Sequence, residues 1–300
     1  MPTRYRSSDE DSARWDGFEF RAGDIVISTR SKSGTTWMQM ICALLIFGRP
    51  DLPAPLSELS PWLDWLMIDR DQIHRRLAAQ PHRRFIKTHT PLDGIPLDPR
   101  VSYIVVARDP LDMAVSLYHQ GANLDRDRMR ALTGAPAPTT PAAPRRPIAD
   151  WLRLWIDSRR APADALDDLP GVMWHLSDAW ARRDQPNILL AHYDDLRADL
   201  EGQMRGIAAW LDIEVSEDRW PLLVEAATFE RMRARAGELV PDPVGIMKDR
   251  AVFFRQGRSG AGQALLDPED LIRYDRRVAQ LAPADLLAWL HRDRSPAQPA

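Results

Sequence analysis

Three hundred residues carrying a formal net charge of −3, with a sequence pI near 6.2, give room for a sizeable core. They leave no uniform basic surface with which to coat a nucleic acid, so any cationic groove must be local. No apolar run approaches the roughly 18 residues that cross a bilayer, and the start MPTRYRSSDEDSARWDG lacks the apolar centre of a secretory signal. A cytoplasmic protein without membrane insertion is expected.

The first element in chain order is the apolar run DIVIST (24–29), read as a buried strand. RSKSGTTW (30–37) follows it, and MQMICALLIF then opens a helix. That helix holds Cys42, the single cysteine, which excludes an internal disulfide and reads as a buried, inert thiol. Further strands are expected at RFIKT (84–88), SYIVVAR (102–108) and NILLAHY (187–193), each followed by turn chemistry or a helical pattern. This alternation predicts an α/β fold: one domain over 1–300 with a central, mainly parallel sheet flanked by helices. After the third strand Asp109 suits an N-cap and Pro110 the first helical position, with Leu111, Ala114, Val115 and Tyr118 on one face.

Residues 134–147, GAPAPTTPAAPRRP, have no periodicity and read as a mobile Pro-rich loop. Helical patterns resume at 151–156 and 173–183 and continue through 196–211 and 220–235. The stretch 237–263 carries five glycines and two prolines, and DPEDLIRYDRRVAQL (267–281) begins with a capping pattern. Residues 1–14 and 294–300 are expected to be flexible tails.

Only three lysines, Lys32, Lys87 and Lys248, stand against thirty-seven arginines. A lysine offers a compact ammonium where arginine offers a planar fork, so the exceptions point to places an Arg does not fit. Lys32 lies in RSKSGTTW, where a strand, a glycine turn with hydroxyl residues and a helix start make an anion cradle from Ser33, Gly34, Thr35 and Thr36. The same segment also reads as a capped helix with no ligand. A Walker A loop puts its lysine after the second glycine, whereas Lys32 precedes the only one. Lys87 lies in KTHTP (87–91), two residues before His89, at the strand end where open α/β sheets gather ligand chemistry. His89 there suits a general base, while His74, His82, His119, His175, His192 and His291 read as structural. In YIVVARDPLDMAVSLYH, Arg108 ends a strand and Ser116 lies two turns into the next helix, so both could meet a second anion. Asp109 in that segment reads either as the helix cap or as a magnesium ligand of a kinase-like strand.

Taken in order, these segments resemble the cytosolic-type sulfotransferases, which transfer a sulfuryl group from 3′-phosphoadenosine 5′-phosphosulfate (PAPS) and release 3′-phosphoadenosine 5′-phosphate (PAP). RSKSGTTW is similar to the family's P-K-S-G-T-T-W loop, KTHTP to its K-x-H-x-P segment, and RDPLDMAVSLYH to R-[ND]-P-x-D-x-x-x-S. LLAHYDDL, TFERMR and FFRQGRSG are similar to its Y-E-D-L, T-x-F-x-x-M-[KR] and R-K-G-x-x-G segments. The resemblance implies catalytic roles for Lys32, Lys87 and His89 and no metal. It also implies nucleotide contacts from Lys32, Ser33, Gly34, Thr35, Thr36, Trp37, Arg108, Ser116, Tyr193, Thr228, Phe229, Arg255, Gln256 and Gly257. Two departures stand out. The R-K-G-x-x-G-D-W-K loop here reads RQGRSGAGQ (255–263), without its second cation and its D-W-K end, with Arg258 as a replacement cation. The family's K-x-x-x-T-V dimer signature has no counterpart in 264–292.

The acceptor is expected to be a small, apolar or aromatic molecule with a hydroxyl or an amine. Trp62, Trp65 and Met247 read either as its pocket or as core. A magnesium-dependent kinase with a divergent loop and a nucleotide-binding protein without turnover are the competing readings.

Overall fold

The structure, a computed structural model, describes residues 2–136, 139, 144–255 and 257–292. β1 (Ile25–Ser28) leads into α1 (Thr35–Phe47), the short α2 (Leu56–Leu59) and α3 (Arg70–Ala79). β2 (Phe85–Thr88) and β3 (Ser102–Ala107) precede α4 (Pro110–Asn123), α5 (Arg126–Thr133), α6 (Ile148–Ile156) and α7 (Leu169–Ala181). β4 (Ile188–His192) is followed by α8 (Tyr193–Ala198), α9 (Leu200–Trp210), α10 (Trp220–Ala227), α11 (Phe229–Ala234) and α12 (Ala236–Leu239). α13 (Pro268–Leu281) and α14 (Ala284–Leu290) end the described chain.

The four strands pair in the order β2-β1-β3-β4, all parallel. Their continuous apolar runs follow from burial on both faces. On one face Ile25, Ile27, Phe85, Ile104 and Val106 pack with the Met and Leu residues of α1. On the other, Val26, Ile86, Tyr103 and Val105 pack with Trp15, Ile73 and Leu77. Cys42 is buried in the first of these cores, and burial pushes its thiol up to about 12.

Register does the positioning. Ser28 lies opposite Thr88 and Val105, and Ala107 opposite His192. Parallel strands in this register deliver Thr29, His89, Arg108 and Tyr193 to one carboxyl edge. The segment at Pro61–Leu63 extends the edge beyond β2: Lys87 N donates to Pro61 O at 3.0 Å and Leu63 N to Lys87 O at 3.2 Å.

Caps set the helix limits. The Asp109 carboxylate accepts from Leu111 N and Asp112 N with Pro110 at the first helical position. Asp267 caps α13 in the same way, accepting from Asp270 N. The helix expected through 196–211 is instead two, because Asp199 ends α8 and caps α9 through Gly202 N. The 220–235 pattern likewise divides at Thr228, whose side chain caps α11.

The flexible tail expected over 1–14 is in part a correction: residues 2–4 and 6–8 are exposed, but Tyr5, Asp11 and Ser12 are buried against the domain. Tyr5 is buried, its hydroxyl donates to Asp93 and accepts from Trp174 Nε1 at 2.7 Å, and Glu10 bridges to Trp65. An aromatic side chain buried by a distant helix outweighs the polar composition that suggested a tail. Of the Pro-rich loop expected at 134–147, residues 137, 138 and 140–143 lie outside the described residues, as does the tail expected at 294–300.

Candidate active site

The turn between β1 and α1 is built for close backbone approach. Lys32 and Gly34 both have positive φ, 65° and 103°, and Gly34 is the N-cap of α1 without a side-chain cap bond. A Cβ on Gly34 would meet the Tyr193 ring at 3.1 Å, so sterics from below as well as conformation select glycine. Thr35 turns its hydroxyl down onto Thr29 Oγ1. The first turn of α1 is thereby left facing the cavity with the positive end of its dipole.

Arg108 joins three segments at that edge. Its Nη1 donates to Lys32 O at 3.0 Å and to Ser116 Oγ at 3.2 Å, its Nη2 donates to Arg258 O at 3.3 Å, and its guanidinium lies 4.5 Å from the Tyr193 ring. The Arg108 and Arg255 Nε atoms are buried with no hydrogen-bond partner among the described residues. Burial first, then Arg108, Lys87 and Arg255, push the Lys32 ammonium down to about 7. A pocket that crowds cations and leaves donors unpaired is matched to a polyanion with more than one phosphate-like group.

The residues expected at the adenine form a second cluster. The Trp37 ring meets Tyr193 edge-on at 5.3 Å, and its Nε1 donates to Ala227 O at 2.8 Å. Phe229 begins α11 directly after the Thr228 cap, and a Cβ on Gly257 would stand 2.6 Å from its ring. Gln256 lies outside the described residues.

The altered 255–263 loop is anchored by groups that the sequence reading passed over. Asp112 is buried and accepts from Gly260 N at 2.7 Å and Gly262 N at 2.8 Å. Arg197 Nε donates to Gly257 O at 3.0 Å, and Ser259 donates to Asp194. The available signal was the second acid of RDPLD, three residues after the cap Asp109.

On the other side of Lys32 lies His89, 5% exposed. Its Nδ1 donates to Thr29 O, and its ring meets Trp62 edge-on at 4.6 Å. Burial first, then Lys87 and Arg30, hold the imidazole well below its ordinary value. Lys87, under the Trp62 ring at 4.0 Å, is pushed down to about 8 by burial. Asp64 accepts from the hydroxyls of Thr88 and Thr90 on either side of His89. These groups face a cavity of about 940 Å³ that runs from the α1 turn to Trp65, Met129 and Met247, with Tyr5 to Glu10 along its rim. Trp62 and Trp65, stacked at 5.2 Å, are at once core and cavity wall. His74, His175 and His192 all make structural hydrogen bonds, to Arg14 O, Ser28 Oγ and Leu290 O.

The model of the sulfotransferase domain matches residues 22–283. The chain belongs to the sulfotransferase family. This PAPS-dependent sulfotransferase is 43% identical over 314 aligned residues to a glycolipid sulfotransferase of Mycobacterium bovis (strain BCG / Pasteur 1173P2), covering 99% of this chain and 96% of that protein. It is 44% identical, with the same coverage, to the glycolipid sulfotransferase of Mycobacterium tuberculosis (strain ATCC 25618 / H37Rv). In fold it is similar to retinol dehydratase in a complex with retinol and PAP, with a TM-score of 0.69 at 22% identity over 96% of this chain and 86% of that one. A mouse sulfotransferase complexed with PAP gives a TM-score of 0.67 at 21% identity, over 94% and 92% of the two chains. Asp109 in this sulfotransferase is the helix cap rather than a lone acid at a strand end. Among the described residues no group of three or more His, Cys, Asp or Glu side chains could hold a metal ion.

Proposed function

We propose that the enzyme moves a sulfuryl group to a hydroxyl of a small amphipathic acceptor of glycolipid type, with His89 as general base. The observation that carries this is the ring hydrogen bond of His89. A carbonyl only accepts, so the bond to Thr29 O puts the proton on Nδ1 and leaves the lone pair on Nε2. The depressed pKa keeps that ring neutral at pH 7 and competent to take the acceptor's proton.

PAPS supplies the sulfuryl group, and PAP is the product. Lys32, Ser33, Gly34, Thr35 and Thr36 would hold the 5′ end against the α1 dipole, Lys32 meeting charge that grows on the leaving oxygen. Lys87 would hold the sulfuryl oxygens. Arg108, Ser116, Arg255 and Gly257 would hold the 3′-phosphate, and Trp37, Tyr193, Thr228 and Phe229 the adenine. Gln256 completes the proposed set from outside the described residues. The proton would leave the acceptor oxygen for His89 Nε2 as that oxygen bonds to sulfur and the bond from sulfur to the 5′-phosphate oxygen breaks, its electron pair leaving on PAP, with the cradle keeping both groups in line.

Two observations favour a glycolipid-type acceptor. The relatives of that name cover 99% of this chain at 43–44% identity. The cavity wall is also mixed, apolar at Trp65, Met129, Ile246 and Met247 and polar at Arg6 to Glu10, which suits a molecule with a sugar and an alkyl part. The test is transfer of label from [³⁵S]PAPS to octyl β-D-glucopyranoside, 2-naphthol and octylamine in parallel. Faster transfer to the glucoside is expected. Transfer confined to the phenol or the amine would overturn the acceptor class.

A further inference from the structure

Arg30 and Ser31 stand directly before Lys32 in the turn after β1, and the hydrogen bonds of Arg30 run to His89 and Asp167. Its guanidinium, 2% exposed, turns to the acceptor side. Nη1 donates to the His89 carbonyl, and Nη2 donates to Asp167 Oδ1 at 2.6 Å. Ser31 Oγ donates to the other oxygen, Asp167 Oδ2, at 3.0 Å. Glu10 Oε2 stands 3.8 Å from Nη1. Asp167 is itself fixed, because its carbonyl accepts from Trp155 Nε1 of α6 at 2.7 Å.

Consecutive residues therefore hold His89 twice, Thr29 by the ring and Arg30 by the backbone. We infer that Arg30, locked by Asp167, is the positioning residue that sets the His89 imidazole against the acceptor, joining the phosphosulfate turn and the 157–168 connection to the base. A planar fork reaches a carbonyl and a carboxylate at once, and a lysine does not. Misplacing a base by about 1 Å costs about 10²-fold in rate.

The inference rests on His89 being the base. The groups that bear on the charge of His89 are Lys87 from β2, His175 from α7 and Arg30 itself, with Glu10, Asp64 and Asp167 acting on Arg30. Four full-length variants are compared with wild type: His89→Ala, Arg30→Lys, Arg30→Gln and Asp167→Asn. Each is measured for transfer to octyl β-D-glucopyranoside and for calorimetric PAP affinity. Arg30→Lys is expected to lower kcat about 10²-fold with PAP affinity within about threefold of wild type. Asp167→Asn keeps shape at a partly exposed position, so it folds even if the buried substitution does not, and a kcat loss of about tenfold is expected. The acid limb of kcat/KM should move to higher pH in Arg30→Gln, which loses a cation facing His89, and stay in place in Arg30→Lys. Loss of fold alone would not split the two in this way. If Arg30→Lys and Asp167→Asn turn over as wild type while His89→Ala is dead, the positioning role is overturned and the base stands. If His89→Ala is active, both are overturned.

Discussion

The two halves of the cavity are made by different means. On the proposed nucleotide side, the turn after β1 presents backbone, with Lys32 and Gly34 at positive φ and the bare N-cap of α1, while Asp112 anchors the neighbouring loop through Gly260 N and Gly262 N. On the proposed acceptor side, side chains converge from distant segments: Glu10, Arg30, Trp62, Lys87, His89, Asp167 and Met247. Backbone cradles tolerate little change in residue type, because a Cβ or a lost amide intrudes at once. A wall of side chains can be rebuilt one residue at a time, which is how one fold accepts many acceptors. The binding of PAP and the choice of acceptor should accordingly separate under mutation.

The largest break in that separation is expected at Lys32, which borders both halves. Lys32→Ala should lower kcat/KM by about 10²- to 10³-fold and weaken PAP binding by about tenfold, seen by steady-state transfer beside calorimetry. A lysine with unchanged kinetics on removal would not belong to the site. Asp112→Ala touches only the nucleotide half: two loop amides lose their acceptor, and PAP affinity should fall about tenfold with kcat at saturation little changed. An equal fall in kcat would mean that the halves are not separable there.

Proton linkage sharpens the same contrast. Lys32 in the free protein sits near 7, and an anion beside it raises that value. PAP affinity should therefore be flat below about pH 7 and fall up to tenfold per unit above it, with proton uptake on binding in calorimetry above pH 7. A flat affinity from pH 6 to 9 would show that Lys32 is charged before the ligand arrives. The smallest effect compares the two ends of α1. Gly34→Ala strains φ and crowds Tyr193, so PAP affinity and thermal stability should both drop. Gly48→Ala, at φ 61° with nothing within 4 Å, should cost only about 1–2 kcal/mol of stability and leave PAP binding alone.

The same division governs what the sequence reveals. The four strands and the Asp109 and Asp267 caps are legible because buried parallel strands and helix starts depend on local residue type. The cradle is legible for the same reason, since a turn bearing Lys32, Gly34 and Thr35 carries its chemistry in consecutive positions. Arg30 with Asp167, and Tyr5 with Trp174, are not, because each pair is made by folding across more than a hundred residues. The breaks at Asp199 and Thr228 escaped for a smaller reason: both are good caps, but each interrupts an apolar period that runs on through it.

His89 is proposed to serve the acceptor and not the nucleotide. His89→Ala, measured by PAP calorimetry and by labelled transfer on the same preparation, tests this most directly. PAP affinity within about threefold of wild type, together with a loss of transfer of about 10²- to 10⁴-fold, is the predicted result. Transfer near the wild-type rate, with PAP still bound, would contradict it.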